Sequence, residues 1–262
     1  MRNLLAAAYW TWKAWKPRQS LTCVWGAAWR FVTQRQAFRA ALRGGEGTKW
    51  VNRPALTDLT RTTPFDAHYL YQAVWASAAL RALNPPEHVD VGSDLRWIAL
   101  EQVWRRVVFV DIRPPELELP QLTCLTGSLL SLPFLNGSVA SLSCLHVIEH
   151  VGLGRYGDPL DPEGDRQAAT ELIRVLAPGG QLLLATPVGQ PQICFNSHRV
   201  YAPEMILALF APLRLVEFSL VDDQGRFLRD ATLAEGGSQR YGCGMFRFQH
   251  VGVVPPTPSQ TR

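Results

Sequence analysis

His146, Glu149 and His150 crowd into one five-residue stretch, at positions i, i+3 and i+4. If the chain turns helically there, all three side chains share one face. A histidine in such a cluster, His146 or His150, can take the proton of a substrate hydroxyl near neutral pH, because its ordinary pKa lies at about 6.5. The same side chains could instead hold a divalent metal; the metal-free reading is the one adopted. His198 follows a later strand and can return to the same edge. The stretch Gly152-Leu-Gly-Arg155-Tyr156-Gly-Asp158-Pro-Leu-Asp161-Pro comes directly after this cluster and is a loop by its glycine and proline content. Arg155 could bind a phosphate or carboxylate there, and Tyr156 could stack on a ring or donate a hydrogen bond. The opposing reading is an internally satisfied Ω-loop, with Asp158 and Asp161 making turn hydrogen bonds. Asn196 and Arg199 are further candidates for the same pocket.

These residues need elements to position them. Asp66 can cap a helix that runs to about Leu83 and stops at Asn84-Pro85-Pro86. From there strands and helices alternate. His88 to Val91, Val107 to Val110, Leu122 to Leu125 and Val139 to Leu145 read as four strands, with a helix after Gly92-Ser93. A helix spans Asp165 to Leu176 and is broken by Pro178-Gly179-Gly180. Gln181 to Ala185 is a fifth strand, Glu204 to Phe210 a helix, and Leu213 to Val221 and Gly244 to Val251 the last two strands. This alternation predicts an α/β fold, a mostly parallel seven-stranded sheet with helices on both faces.

In open α/β sheets, ligands bind beyond the carboxyl ends of the strands. Asp90-Val-Gly92-Ser93 lies at the end of the first strand, Asp111-Ile112 closes the second, Ser128-Leu129 follows the third and Cys144 ends the fourth. Gly92 permits a tight turn and a close backbone approach. Asp111 can accept hydrogen bonds from both hydroxyls of an adenosyl ribose. Cys144 reads as a small buried hydrophobe at that edge and not as a nucleophile.

A longer pattern runs through the middle of the chain: Gly127-Ser-Leu-Leu-Ser-Leu132-Pro133-Phe134, then Asn136-Gly-Ser138, then Cys144-Leu-His146-Val-Ile-Glu149-His150, then Glu171-Leu-Ile-Arg-Val-Leu176-Ala-Pro178-Gly179-Gly180 and Thr186-Pro187. In this order it resembles the class I S-adenosylmethionine-dependent methyltransferases of the small-molecule type. A second resemblance, running from Asp66 to Phe248, is to an uncharacterised methyltransferase-like family, a domain of unknown function. It rests on Asp66-Ala-His68-Tyr69, His88-Val-Asp-Val-Gly-Ser93, Asp111-Ile-Arg113-Pro114, Ser143 to His150, Gly152 to Pro159, Pro187-Val-Gly189 and Asn196-Ser-His198-Arg199. The resemblance implies a Rossmann-like fold and S-adenosylmethionine as cofactor, held by Asp90, Gly92, Ser93, Asp111, Ile112, Ser128, Leu129 and Cys144. It implies no substrate. His146, Glu149, His150, Arg155, Tyr156 and His198 are the catalytic candidates. Three departures stand out. Of the family's glycine-rich first motif only Gly92 survives. Ser128 stands where an acid often reads the adenine, and Ala140 where aspartate is usual. Certain metal-dependent O-methyltransferases carry E-x-x-E-H at the position of His146 to His150; here His146 replaces the first glutamate, and an imidazole-rich set would favour zinc, iron or manganese over magnesium.

Composition bounds the rest. Hydrophobic residues make up 47% of the 262 and charged residues 18%, which is globular. No apolar run approaches the ~20 residues needed to span a bilayer, and the N-terminus lacks the apolar core and cleavage site of a signal peptide. Five scattered cysteines without a C-x-x-C pair argue against a disulfide framework and for a reducing, cytoplasmic setting. Residues 1–45 hold eight of the 26 basic residues and none of the 22 acids, so the remainder carries a net −4. This arm, with Trp10, Trp12, Trp15, Trp25 and Trp29, predicts a basic amphipathic helix from Leu21 to Leu42, ended by Gly44-Gly45. Such a helix can lie peripherally on the inner face of a membrane, or simply pack on the domain; the basic residues are too few and spread for nucleic acid. The expected organisation is an arm and linker over 1–64, a methyltransferase-like domain over 65–254 and a disordered tail over 255–262. The expected function is methyl transfer from S-adenosylmethionine to oxygen or nitrogen of a small-molecule or glycan-like acceptor. The alternative is a non-catalytic scaffold on the same fold, attached to the membrane surface through the arm.

Overall fold

Long apolar strands with little alternation belong in the middle of a parallel sheet, covered on both faces, and the computed structural model puts them there. It describes residues 21–42 and 49–252; the expected Gly44-Gly45 helix stop, the first three tryptophans of the arm and the expected tail lie outside the described residues. The chain divides into two units, Met1–Phe65 and Asp66–Arg262.

In the first unit, α1 (Leu21–Ala41) is the described helix. Ala27, Ala28 and Phe31 pack on Leu56. The expected apolar face is covered only over this half: Phe38 and Leu42 are exposed, as are Trp25 and Trp29. Phe38 meets the ring of Trp50 at a centroid distance of 6.1 Å, and the Arg39 guanidinium lies 4.8 Å over the same ring. The basic amphipathic stripe predicted from sequence is therefore not a continuous one; its apolar residues are spread around the axis.

In the second unit, α2 (Ala67–Leu83) starts at Asp66, whose side chain accepts from Tyr69 N, and ends at left-handed Asn84. Then follow β1 (Glu87–Val91), α3 (Leu95–Glu101), β2 (Arg106–Asp111), β3 (Leu122–Thr126), β4 (Val139–Leu145), a 3-10 turn Ile148–His150, α4 (Gly164–Val175), β5 (Leu176–Val188), β6 (Gln192–Cys194), β7 (His198–Val200), α5 (Pro203–Leu209), β8 (Arg214–Val221), β9 (Phe227–Leu228), α6 (Leu233–Gly237) and β10 (Gly242–Gln249). The main sheet runs β3-β2-β1-β4-β5-β10-β8-β9, with β6 and β7 paired separately. β1 to β5 are parallel, and β10 is antiparallel to both β5 and β8. The sheet thus has eight strands and not the expected seven. The extra strand is the two-residue β9, too short to show an alternation, and it is folded back on β8 by Asp222, whose Oδ1 accepts from the backbone N–H groups of Gln224 and Arg226. Pro178-Gly179-Gly180 does not end α4 either. The helix stops at Val175, and the triplet lies within β5, tied to His250 by Gly179 N–H to His250 O (2.8 Å) and His250 N–H to Gly180 O (3.0 Å).

One face of the sheet packs on α4 and α5 through Ala168, Leu172, Val175 and Ile206. The other packs on α2 and α3 through Trp75, Leu80, Trp97 and Ile98. Among the described residues no helix is long and apolar enough to cross a membrane.

A polar thread runs through this apolar centre. His88 on β1 is fully buried between two serines of β4, with Nδ1 2.8 Å from Ser141 Oγ and Nε2 2.8 Å from Ser143 Oγ. Ser143 gives its only proton to the Asp90 carboxylate, so it must accept from His88 Nε2–H, which leaves Nδ1 to accept from Ser141. Asp90 also accepts from Ser93 N–H (3.0 Å) and Ser93 Oγ–H (2.6 Å), and Ser93 Oγ accepts from Leu145 N–H. Every hydrogen is used, which is how a buried polar chain avoids its desolvation cost.

Burial, reinforced by Arg105, lowers the His88 pKa to about 3. Burial raises that of Asp90 to about 6, against the pull of Ser143 and Ser93. Unfolded His88 binds a proton below about pH 6.5 that the folded chain refuses, so its contribution to stability rises with pH from about 3 to 6.5. Unfolded Asp90 releases its proton above about pH 4 while the folded chain holds it to about 6, so its contribution falls over that window. Each slope is about 1.4 kcal/mol per pH unit, and they nearly cancel. Asp90→Asn is expected to shift the slope of stability upward by about that amount between pH 4 and 6, and His88→Gln to shift it downward. Urea unfolding of the three proteins across this range checks it; parallel profiles would show that these two groups do not titrate as their burial requires.

Candidate functional site

The carboxyl ends of β1, β2 and β4 open onto a cleft of about 200 Å³. Gly92 leaves β1 at φ +71°, a conformation side chains resist, and its N–H reaches Val110 O at 2.9 Å. A Cβ there would come within 3.1 Å of Val147 Cγ1 and 3.7 Å of Asp111 Oδ2. Asp111 ends β2, and its Oδ1 accepts from Arg113 N–H at 2.7 Å. Ile112 and Arg113 follow on the same wall, and Gly127, Ser128 and Leu129 come in from β3. Ser128 Oγ is occupied by Leu130 N–H at 3.1 Å. The remaining wall is apolar: Val91, Val110, Leu130, Val147 and Val151. Tyr156 stands at the rim with the Arg113 guanidinium 4.7 Å over its ring.

Of the residues expected around a cofactor, Gly92, Asp111, Ile112, Ser128 and Leu129 line this cleft. Asp90, Ser93 and Cys144 do not. Asp90 and Ser93 spend their hydrogen bonds on one another, on Ser143 and on the backbone of Leu145. Cys144 is wholly inside the core, where burial pushes its thiol well above the ordinary pKa.

A second cleft, of about 380 Å³, adjoins the first through His146 and His150, which line both. Glu149, Arg155 and His198 line it as well. His146 follows β4 at φ +56°, rare for a residue with a side chain. Its backbone N–H reaches Ala185 O and its Nδ1 lies 2.8 Å from Glu149 Oε1, both side chains being buried. Burial opposes charge on His146, but Cys243 and Glu149 beside it outweigh burial and push its pKa up to about 10. Burial likewise opposes ionisation of Glu149, yet His146 and His150 hold its carboxyl below the usual range. His150 Nδ1 lies 2.6 Å from Ser197 O, a carbonyl that can only accept, so Nδ1 carries the hydrogen and Nε2 is the basic nitrogen. Burial lowers the His150 pKa, which keeps that lone pair free of a proton. Arg155 Nη1 donates to the same carbonyl at 3.1 Å, and the Tyr156 ring meets His150 edge-on at 5.6 Å.

Sequence reasoning missed four residues of the second cleft's neighbourhood. His68 and Tyr69 come from the first turn of α2, Tyr241 precedes β10, and Cys243 lies behind them, fully buried. His68 stacks between His146 (centroids 5.5 Å) and Tyr241 (5.3 Å), and His198 meets Tyr241 at 5.1 Å. Burial, then the neighbouring His146, lowers the His68 pKa to about 4; burial raises the Tyr241 hydroxyl to about 12. The one sequence signal was His68 within the Asp66-Ala-His68-Tyr69 segment. Two further candidates do not reach the clefts. Arg199 is buried and clamps the loop below, with Nη1 donating to Val151 O at 2.6 Å, and Asn196 lines neither cleft.

The loop after the 3-10 turn is internally satisfied and also presents side chains. Asp158 Oδ2 accepts from Gly152 N–H (2.7 Å) and Gly154 N–H (3.3 Å), and Oδ1 from Tyr156 N–H. Asp161 accepts from Glu163 N–H and the Gln167 side chain. This backbone frame holds Arg155 over one cleft and Tyr156 over the other.

Comparison with known proteins places this geometry. A family model described as Caenorhabditis protein of unknown function, DUF268, matches residues 136–233. No curated protein matches the sequence. Among solved structures, the YcgJ protein from Bacillus subtilis has a TM-score of 0.50 at 12% identity, covering 70% of this chain and 100% of that one. The N-methyltransferase NodS from Bradyrhizobium japonicum WM9, in complex with S-adenosyl-L-homocysteine, has a TM-score of 0.51 at 14% identity, covering 77% and 94%. At these identities the likeness is one of fold. The chain has the Rossmann-like fold of class I methyltransferases.

Gly152 ties the loop frame to α4. Its φ is +80°, and a Cβ would lie 2.0 Å from Asp161 O, a backbone atom that cannot step aside. At Gly157 (φ +90°) a Cβ would meet nothing within 4 Å. Gly157→Ala is therefore expected to cost about 1 kcal/mol, the left-handed penalty alone, and Gly152→Ala about 3 kcal/mol or more. Denaturant midpoints check the pair, and equal losses would show that the Gly152–Asp161 contact does not hold the loop.

Proposed function

We propose that this chain is an S-adenosylmethionine-dependent methyltransferase acting on oxygen or nitrogen of a small-molecule or glycan-like acceptor. The carrying observation is Asp111 in the first cleft: a carboxylate at the end of β2, Oδ1 held by Arg113 N–H, facing the space that a Cβ at Gly92 would fill. That cradle fits an adenosyl group. Asp111 would accept from the two ribose hydroxyls, and Val110, Ile112, Leu129 and Val147 offer apolar surface to a flat ring. The cofactor supplies a methyl group on a sulfonium. The chain's own residues then do two things. The apolar walls exclude water and fix the reactants relative to one another, which is where most of the acceleration arises. His150, with Nδ1–H fixed on Ser197 O, presents Nε2 to take the acceptor's proton. His198 and Arg155 border the acceptor space in the second cleft, Tyr156 stands over the first, and His146, shared by both clefts, holds the wall with Glu149. A cytoplasmic setting accords with the free cysteines Cys124, Cys144, Cys194 and Cys243.

The non-catalytic alternative is favoured by one observation. Where the family carries glycines, Ser93 is pinned inward on Asp90, so the loop after β1 has little freedom to wrap a ligand. Calorimetry with S-adenosylmethionine separates the readings. Micromolar binding is expected, weakened about 100-fold or more in Asp111→Ala, as for the loss of two hydrogen bonds to a charged group. No binding by the unsubstituted protein would leave the scaffold. Membrane attachment of that scaffold would run through the arm, whose Trp25, Trp29 and Phe38 are exposed. On that reading, co-sedimentation with anionic liposomes is lost when residues 1–45 are removed; equal pelleting would remove the membrane role.

A further inference from the structure

At the back of the second cleft lies a cluster to which methyl transfer as proposed gives no chemical step. His68 from the first turn of α2, His146 from just after β4 and Cys243 from the start of β10 each bring one donor atom to a common point, all within 4.8 Å of one another. Cys243 is fully buried. His146 is nine-tenths buried, with Nδ1 on Glu149, and its Nε2 has no hydrogen-bond partner. A buried polar atom left unmet is costly, and here it sits beside two other metal-binding donors. We propose that His68, His146 and Cys243 bind a divalent transition metal, zinc foremost, with a fourth position open to the second cleft.

The donor chemistry selects the ion. Two imidazoles and a thiolate suit zinc and its neighbours, whereas magnesium and calcium require oxygen. Three protein ligands with one open position is the arrangement of zinc sites that do chemistry, as opposed to closed four-ligand structural sites. Nitrogen and sulfur donors around tetrahedral zinc stand about 3.5 Å apart, so the present spread of up to 4.8 Å closes by about 1.3 Å at most. His68, at a helix start and only partly buried, can supply that movement by side-chain rotation.

The surroundings complete the case. Glu149 Oε1 accepts from His146 Nδ1–H and so leaves Nε2 as the donor aimed at the cluster, the carboxylate–histidine pairing that orients metal-binding imidazoles; the proton on Nε2 leaves as the ion binds. Thr186 Oγ–H steadies the other carboxylate oxygen at 3.4 Å. A doubly charged ion would be neutralised by the Cys243 thiolate and the Glu149 carboxylate together, so no net charge is left buried. An oxygen or sulfur ligand entering the open position would lose its proton more readily there.

The proposal goes beyond methyl transfer and is tested without cofactor or acceptor. The full chain is freed of metal with a chelator and titrated with cobalt, then zinc. The expected result is one equivalent bound, a thiolate-to-cobalt charge-transfer band, and its displacement by zinc. Cys243→Ser should abolish the band, His68→Ala should weaken zinc binding about 100-fold, and Glu149→Gln should weaken it about 10-fold. His68 is not a core residue, so His68→Ala carries the test if the buried Cys243→Ser does not fold. No bound metal, a cobalt spectrum without the thiolate band, or zinc affinity unchanged in His68→Ala would each overturn the site. If the band appears while S-adenosylmethionine does not bind, the metal site stands and only the methyltransferase reading falls.

Discussion

The contact between His146 and Glu149 organises everything at the working edge of the sheet. At 2.8 Å, between two buried side chains, it is strong because no water competes for either partner. It also closes a short circuit in the backbone. A left-handed residue must follow β4 for the chain to curl back within three positions, and the 3-10 turn that results carries His150 outward while Glu149 stays inside. Left-handed geometry at a residue with a side chain costs about 1–3 kcal/mol and persists only where surroundings enforce it. The enforcing contacts are this pair and the His146 N–H bond to Ala185 on β5. Both clefts share this turn as a wall, so their separation is set by one side-chain pair and not by a flexible loop.

How much of this can be read from sequence depends on whether the signal is local. The β2 run is largely apolar, β1 and β4 mix valine and leucine with a few polar residues, and all three are bounded by turn residues and fall where the sequence puts them. Asp66 and Asn84 frame α2 as cap chemistry requires. Asp111 and Gly92 fall at the first cleft, as their positions at strand ends imply. Other features are not local. Pro178-Gly179-Gly180 is a helix stop by propensity, but pairing with β10 and His250 draws it into a strand. Asp90 and Ser93 look like cofactor ligands by position; only the structure shows Ser143 reaching across from β4 to claim the carboxylate. Cys243 is a lone cysteine in sequence, and its nearness to His68 and His146 is created by strand order alone.

The serine–histidine–aspartate thread has a related logic. A parallel sheet core of valine and leucine would tolerate sliding of β1 against β4, since similar side chains recur along both. His88 bridging Ser141 and Ser143 allows one register only, because a shift of two residues would strand three buried polar groups. The thread ends at Ser93 Oγ on Leu145 N–H, one residue before His146. The alignment of the sheet is thereby passed to the turn that separates the clefts.

The place of β10 gives the molecule a timetable. This strand is the last among the described residues, yet it lies between β5 and β8 in the interior of the sheet. During synthesis the elements around Asp111 can assemble while β8 and β5 wait with facing edges unpaired. Only when β10 leaves the ribosome and slots between them do Tyr241 and Cys243 reach His68, which was made much earlier. The cleft bordered by Asp111 can thus take shape early on the ribosome, and the one bordered by His68 comes last. A nascent or clipped chain lacking β10 would keep its first half-site but expose two open strand edges, the usual target of chaperones and proteases.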